Sequence, residues 1–197
     1  MQMEAMELGL LRTNCYLIWD GGSAIAIDPG YDAARIIARL QELRQTLVGI
    51  VLTHGHFDHV GAVQGLKDAY ACPVYLSEPD THLPKEMTNG QIPYTNTFQE
   101  GDTLSFGAIR LKVLLTPGHT PGSACFRLGP WLFTGDTLFR DACGRTDFPG
   151  GSWREMKKSL QRLSALQEDY FVYPGHGDAT TLEREKKYNP YLQEALS

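Results

Sequence analysis

No run of about 18 consecutive apolar residues, the length that spans a bilayer, occurs in this chain. The opening residues MQMEAMELGL hold no basic stretch followed by an apolar core, so no secretory leader is read there and the cytoplasm is the expected compartment. Positive charge is scarce. With 18 Lys and Arg against 23 Asp and Glu, the net charge is −5 and no basic stripe stands out. A phosphate backbone or an anionic lipid surface would find little to bind, so neither nucleic acid nor membrane is an expected partner. Cysteine is sparse as well. Cys15, Cys72, Cys125 and Cys143 form no CxxC pair, and a chain of 197 residues can bury a core without covalent staples, so all four read as reduced thiols. Linkers and low-complexity tracts are missing, and residues 1–197 are expected to form one domain.

What is present is an alternation of strand and helix signals. The runs CYLIW and AIAI flank Asp20-Gly21-Gly22-Ser23, a hairpin pattern over 14–27. Ile36, Ile37, Leu40 and Leu43 recur at helical spacing within 33–47, and the short β-branched run VGIVLT from Val48 reads as a buried strand. A helix is expected over 61–70 and a strand at PVYL. The stretch 77–100, with three prolines and little pattern, is expected as a surface loop. Strands follow at 109–115, 124–128 and 131–134. Ser152 and Glu155 form a capping box before a helix whose Trp153, Met156, Leu160 and Leu163 share one face. The strand YFVY runs to Pro174, and a charged short helix runs from Thr181 to Asn189-Pro190. Two halves, each with strands and a helix on one side, imply an α/β architecture of two packed mixed sheets with helices on the outer faces.

The chemistry lies in where the histidines fall. Five of the six, with two aspartates, come just past the end of an apolar strand: IVLT before HGHFDH, VLLT before PGH, WLFT before GD, and YFVY before PGH. Four strand ends then deliver polar side chains to one rim, where open α/β sheets place their sites. An extended backbone through HGHFDH points His54, His56 and Asp58 to one side, and a bend lets Asp58 and His59 reach a second centre. Imidazole and carboxylate donors without thiolate suit Zn, Mn or Fe. Seven such donors exceed what one four-coordinate ion takes. The expected partition is two divalent metal ions, zinc with iron or manganese as alternatives: His54, His56 and His119 on one, Asp58, His59 and His176 on the other, and Asp136 between. His82 stands alone and is left out.

This series, HGHFDH followed by Gly61, TPGHTPGS at His119, TGDTLF at Asp136, YPGH at His176 and the strand-end run Asp28-Pro29-Gly30, resembles the metallo-β-lactamase superfamily over essentially the whole chain. The resemblance implies an αββα sandwich, the metallo-β-lactamase fold. It also implies that Asp28 orients a ligand imidazole. The segment GDTLFRDACGRTDFPGGS resembles the short glyoxalase II-like hydrolases and the persulfide dioxygenases. Many lactam-hydrolysing members place a cysteine in the second site where this chain has Asp136, which argues against antibiotic hydrolysis.

The expected function is therefore a dinuclear hydrolase of a small thioester resembling glyoxalase II, with a metal-bridging hydroxide as nucleophile and Asp58 as its orienting base. A thiolate leaves unaided, with a pKa of about 8 to 9, whereas an amide nitrogen must be protonated, and no spare acid accompanies the ligands. Alternatives are a mononuclear iron persulfide dioxygenase and a metal-binding protein without turnover. Arg145 in GRTD either pairs with Asp147 or recognises a substrate carboxylate, such as that of a glutathione thioester.

Overall fold

The computed structural model describes residues 1–88 and 90–197, and among these the chain forms two six-stranded sheets and a small hairpin. The first sheet takes β1 (Gln2–Leu8), β2 (Thr13–Asp20), β3 (Ser23–Ile27), β4 (Thr46–Val51), β5 (Val74–Ser77) and β6 (Asn96–Phe98) in chain order. Its first three strands are antiparallel, and β3 to β6 run parallel. The second sheet begins with the antiparallel β7 (Thr103–Phe106), β8 (Ile109–Leu115), β9 (Ala124–Leu128) and β10 (Trp131–Gly135). A short hairpin, β11 (Leu138–Phe139) and β12 (Ala142–Cys143), stands apart before β13 (Phe171–Pro174) returns parallel to β10 and β14 (Thr180–Thr181) closes the edge. The helices are α1 (Ala33–Glu42), α2 (Phe57–Val60), α3 (Val63–Tyr70), α4 (Lys85–Thr88), α5 (Trp153–Ser164), α6 (Leu182–Tyr188) and α7 (Pro190–Leu196).

Alternation along the strands sorts the core into three layers. On β2 and β3, Tyr16, Ile18, Ile25 and Ile27 point between the sheets, where they meet Phe126 and Phe133 of the second sheet. Their neighbours Cys15, Leu17, Ala24 and Ala26 face outward onto Ile36 and Leu40 of α1 and Val63 and Leu66 of α3. On the second sheet Cys125 and Leu132 face outward onto Met156, Leu160 and Leu163 of α5. The result is the αββα sandwich of the metallo-β-lactamase fold. A one-residue slip in any inner strand would exchange its layers, so register is tightly specified. All four cysteines are free thiols. Among the described residues no helix is long and apolar enough to cross a membrane.

Several elements differ from the sequence-based expectation. Helix α1 ends at Glu42 rather than running to residue 47, because Arg44 turns left-handed (φ 55°) and Gln45 N–H returns to the Leu40 carbonyl. Leu47 keeps helical spacing by coincidence and buries itself as a strand residue. The region 77–100 is not a plain loop. It holds a one-turn 3-10 helix, Glu78–His82, then α4 and the strand β6, whose partner β5 lies about twenty residues earlier. Two helices rather than one close the chain, since Asn189 Oδ1 caps α7 by accepting from Tyr191 and Leu192 N–H. The edge strands β1 and β7 have charged or polar residues on their exposed faces and carry little signal of their own.

At α5, Ser152 Oγ accepts from Glu155 N–H as the capping box requires, but the Glu155 carboxylate turns to Arg154 and Lys158 instead of closing the box. Ser152 N–H donates to the Gly118 carbonyl, which docks the helix start beside His119.

Candidate metal centre

Main-chain bonds stitch the rims of the two sheets together. Ala124 N–H, at the start of β9, donates to the Thr53 carbonyl just past β4, and Asn14 N–H of β2 donates to the Gly175 carbonyl just past β13. The strand ends carrying His54, His119, Asp136 and His176 therefore meet at one edge of the sandwich.

The backbone bends at Thr53 and His54, is extended at His56 (φ −67°, ψ 147°), which stands at the N-cap of α2, and turns helical from Phe57. Asp58 therefore does not point with His54 and His56, as an extended chain would have it. The first helical turn carries it over to His59 and His176. Two clusters result, His54 with His56 and His119, and Asp58 with His59 and His176, each with its donor atoms within 4.8 Å of one another. Asp136 stands between them. Its Oδ2 is 3.5 Å from His119 Nε2 and 3.6 Å from His176 Nε2, and its Oδ1 is 3.4 Å from His59 Nε2.

Hydrogen bonds on the outer nitrogens set which nitrogen of each ring faces inward. His59 Nδ1 donates to Asp28 Oδ2 at 3.0 Å, His119 Nδ1 to the Arg145 carbonyl at 2.7 Å, and His176 Nδ1 to the Leu11 carbonyl at 3.1 Å. His54 Nδ1 lies 3.0 Å from Thr53 Oγ1, whose own proton goes to Asp28 Oδ2 at 2.6 Å. The Nε2 atoms of these four rings thus face the centre. His56 is reversed, with its Nδ1 2.8 Å from His119 Nε2. Asp28, His54 and His59 also lie within ligand distance of one another, yet Asp28 already accepts from Thr53 N–H, Thr53 Oγ1 and His59. Asp28 is therefore engaged in holding its neighbours.

His54 Nε2, His59 Nε2 and Asp136 Oδ1 are buried and have no hydrogen-bond partner. Buried polar atoms are seldom left so. Burial disfavours charge on His54 and His56, whose neighbours are other imidazoles, and pushes His56 down to about 4. Burial opposes charge on His59 too, but Asp136 and Asp28 outweigh it and raise that ring to about 9. Asp58 is held below the usual carboxylate range, because His176 and His59 overcome the effect of its burial. The donor set of five imidazoles and two carboxylates, with His54 Nε2, His59 Nε2 and Asp136 Oδ1 buried and unpartnered at its centre, fits two divalent cations.

Close approach depends on glycine at two positions. A Cβ on Gly175 would lie 2.2 Å from Asp136 Oδ1 and 2.7 Å from His59 Cε1. One on Gly144 would lie 1.8 Å from the Asp136 carbonyl oxygen. The β11–β12 hairpin, turning at Asp141 (φ 60°), brings Gly144 and Arg145 back to the rim.

Above the donors opens a cleft of about 600 Å³. His56, Asp58, His119, Asp136 and His176 form its floor, and Leu11, Phe57, Met87, Phe139 and Phe148 supply apolar walls. Arg145 and Glu86 stand at the same cleft. The Arg145 guanidinium pairs with both oxygens of Asp147 at 2.7 Å and lies 4.1 Å above the Phe148 ring. His82 is exposed and takes no part in the cleft. Four partners escaped the sequence reading: Thr53, Thr13, whose hydroxyl donates to Asp58 Oδ2 at 3.0 Å, and the Leu11 and Arg145 carbonyls. Thr53 precedes the HGHFDH run without belonging to it, Thr13 opens β2 away from every motif, and a carbonyl has no side-chain signature.

Residues 8–176 match the Metallo-beta-lactamase superfamily, and the chain belongs to that superfamily. Within it, the hydroxyacylglutathione hydrolase GloC of Haemophilus influenzae is 38% identical over 208 residues, with 98% of each chain covered. Among solved structures, the BLEG-1 B3 metallo-beta-lactamase superposes with a TM-score of 0.89 at 33% identity, covering 97% of this chain and 99% of that one. TTHA1623 in a di-iron-bound form superposes with a TM-score of 0.86 at 37% identity, covering 95% and 99%.

Proposed function

We propose that this protein is a dinuclear metal-dependent hydrolase of a small thioester, of the glyoxalase II kind. His54, His56 and His119 hold one ion, Asp58, His59 and His176 hold the other, and Asp136 serves both. The observation that carries this reading is the pair of buried, unpartnered imidazole nitrogens, His54 Nε2 and His59 Nε2, in separate clusters on either side of an equally unpartnered Asp136 Oδ1. Zinc suits the donors, and the likeness to a di-iron protein keeps iron as the alternative.

Such ions, when bound, supply a water that is nucleophilic at neutral pH and a Lewis acid for the scissile carbonyl. The chain's own groups do the rest. Asp58 Oδ2 is engaged by the Thr13 hydroxyl and faces His176, so Oδ1 is the oxygen free to orient the attacking water and take its proton. Asp28, Leu11 and Arg145 keep the ring nitrogens aimed, the last two through their carbonyls. The apolar walls exclude bulk water from the reacting carbonyl. A thiolate departs without a proton donor. The ionisable cleft residues outside the cluster are Arg145, which stays charged, Cys143, whose thiol burial pushes up to about 11, and Glu86 at the exposed mouth. That inventory favours a thioester over an amide.

The similarity to GloC supports a glutathione thioester as substrate. Arg145 is the cation of the cleft that would meet an anionic arm of such a thiol. Metal analysis of the purified protein, paired with thiol release from S-lactoylglutathione and oxygen uptake against glutathione persulfide, tests the assignment. Two metals and thiol release are expected. One iron with oxygen uptake would point instead to a persulfide dioxygenase, and bound metal with neither activity to a protein without turnover.

A further inference from the structure

Asp80 lies in the one-turn helix Glu78–His82, far in sequence from every metal-ligand candidate, and its side chain is completely buried. Its hydrogen-bond donors are neutral. Oδ2 accepts from Gly55 N–H at 2.8 Å and from Thr120 Oγ1 at 2.8 Å, and Oδ1 accepts from Gly122 N–H at 2.6 Å. Gly55 is the residue between His54 and His56, and Thr120 and Gly122 follow His119. One carboxylate thus ties together the two loops that carry all three imidazoles of the first cluster. The approach is as close as the backbone permits, since a Cβ on Gly122 would lie 2.5 Å from Asp80 Oδ1.

The second cluster is secured by other means: the Thr13 hydroxyl on Asp58, the Leu11 carbonyl on His176 and Asp28 on His59. None of these groups bonds to Asp80. A carboxylate buried among neutral donors is costly unless positive charge lies nearby to offset it. A cation at His54, His56 and His119 would stand just across the loops that Asp80 binds.

We propose that Asp80 is a positioning residue dedicated to the first metal: it clamps the His54–His56 loop to the His119 loop and balances the charge of the ion held between them. The proposal rests on the two-metal reading above. Replacing it with Asn keeps the shape but turns an NH2 group toward Gly122 N–H or toward Gly55 and Thr120, so that donor faces donor. Loss of such an outer partner typically costs about 10- to 100-fold in metal affinity.

The test isolates each site. In a His176→Ala background, which leaves the first site, Asp80→Asn is expected to weaken Zn2+ binding by at least about tenfold in a chelator-competition titration. In a His56→Ala background, which leaves the second, it should change affinity less than about twofold by the same reasoning. Equal weakening in both backgrounds would make Asp80 a general brace and overturn the proposal, as would no weakening in either. Wild-type protein that takes up no metal would instead defeat the two-metal reading. The clamp is then judged by hydrogen exchange of metal-free protein, where Asp80→Asn should deprotect the Gly55 and Gly122 amides, and unchanged protection would overturn it. If Asp80→Asn does not fold, Thr120→Val removes a single donor and should show the same first-site selectivity to a smaller degree; an unselective effect there counts against the proposal.

Discussion

His59 donates through Nδ1 to Asp28 Oδ2 across 3.0 Å, and both side chains are buried. The same carboxylate takes the Thr53 hydroxyl, which lies against His54 Nδ1, so one aspartate at the end of β3 sets the inward nitrogen of a ring in each cluster. Ring orientation is thereby settled before any ion arrives, and the conformational cost of assembling the centre is met in folding rather than in binding.

His59→Ala should therefore remove one ion and leave the other. Inductively coupled plasma analysis should give about one metal per chain against two in the wild type, with most thioesterase activity gone, since a two-metal mechanism needs both. A metal-replete wild type with a single ion would count against the dinuclear assignment.

Gly175→Ala should jam the centre without unfolding the sandwich. The new methyl would overlap Asp136 Oδ1 and His59 Cε1 at a rim position away from the three core clusters. Loss of both metal and activity is expected, with far-UV circular dichroism unchanged.

Thioesters should be cleaved far faster than amides of similar shape. An amide nitrogen needs a proton that general acid catalysis typically rewards with a factor of about 100 to 10,000. Comparable rates on a lactam and a thioester would sink this expectation. Glu86 at the cleft mouth would then be the first residue to replace.

Arg145→Ala separates two roles by choice of substrate. If the guanidinium receives an anionic arm, kcat/KM on S-lactoylglutathione should fall about ten- to a hundredfold, the equivalent of about 1.5 to 3 kcal/mol, while an uncharged thioester is unaffected. Equal losses on both substrates with a lowered Tm would leave Arg145 as the partner of Asp147 and Phe148 that the structure displays.

Chelation should destabilise the protein, because the clustered donors lose what they bind. At free metal a hundredfold above Kd, each ion adds about 2.7 kcal/mol. For a chain of this size that corresponds to a drop of roughly 5 to 10 °C in Tm per ion on stripping, read by differential scanning calorimetry.

The sandwich, and the gathering of five histidines and two aspartates at one rim, were legible because both write themselves locally. Alternation in AIAI and CYLIW sorts inner from outer faces, and a histidine just past an apolar strand announces a rim. Less was legible where a partner lies far away in the chain. Strand β6 exists because β5 offers an edge. The end of α1 at Glu42 was missed for a local reason, the left-handed turn at Arg44, which the continuing apolar spacing conceals.

Residue identity alone thus determined which atoms can bind metal, since imidazole and carboxylate chemistry travels with the side chain. Tertiary structure decided how they divide. Asp58 joined His59 and His176 only because α2 begins at Phe57, and the inward nitrogen of four of the five rings was chosen by hydrogen bonds, from the adjacent Thr53 for His54 and from Asp28, Leu11 and Arg145, remote in the chain, for His59, His176 and His119. The bond from His176 to the Leu11 carbonyl spans the two sheets and forms only when they pack, while those from His59 to Asp28 and from His119 to the Arg145 carbonyl form only when separate strand ends come together at the rim.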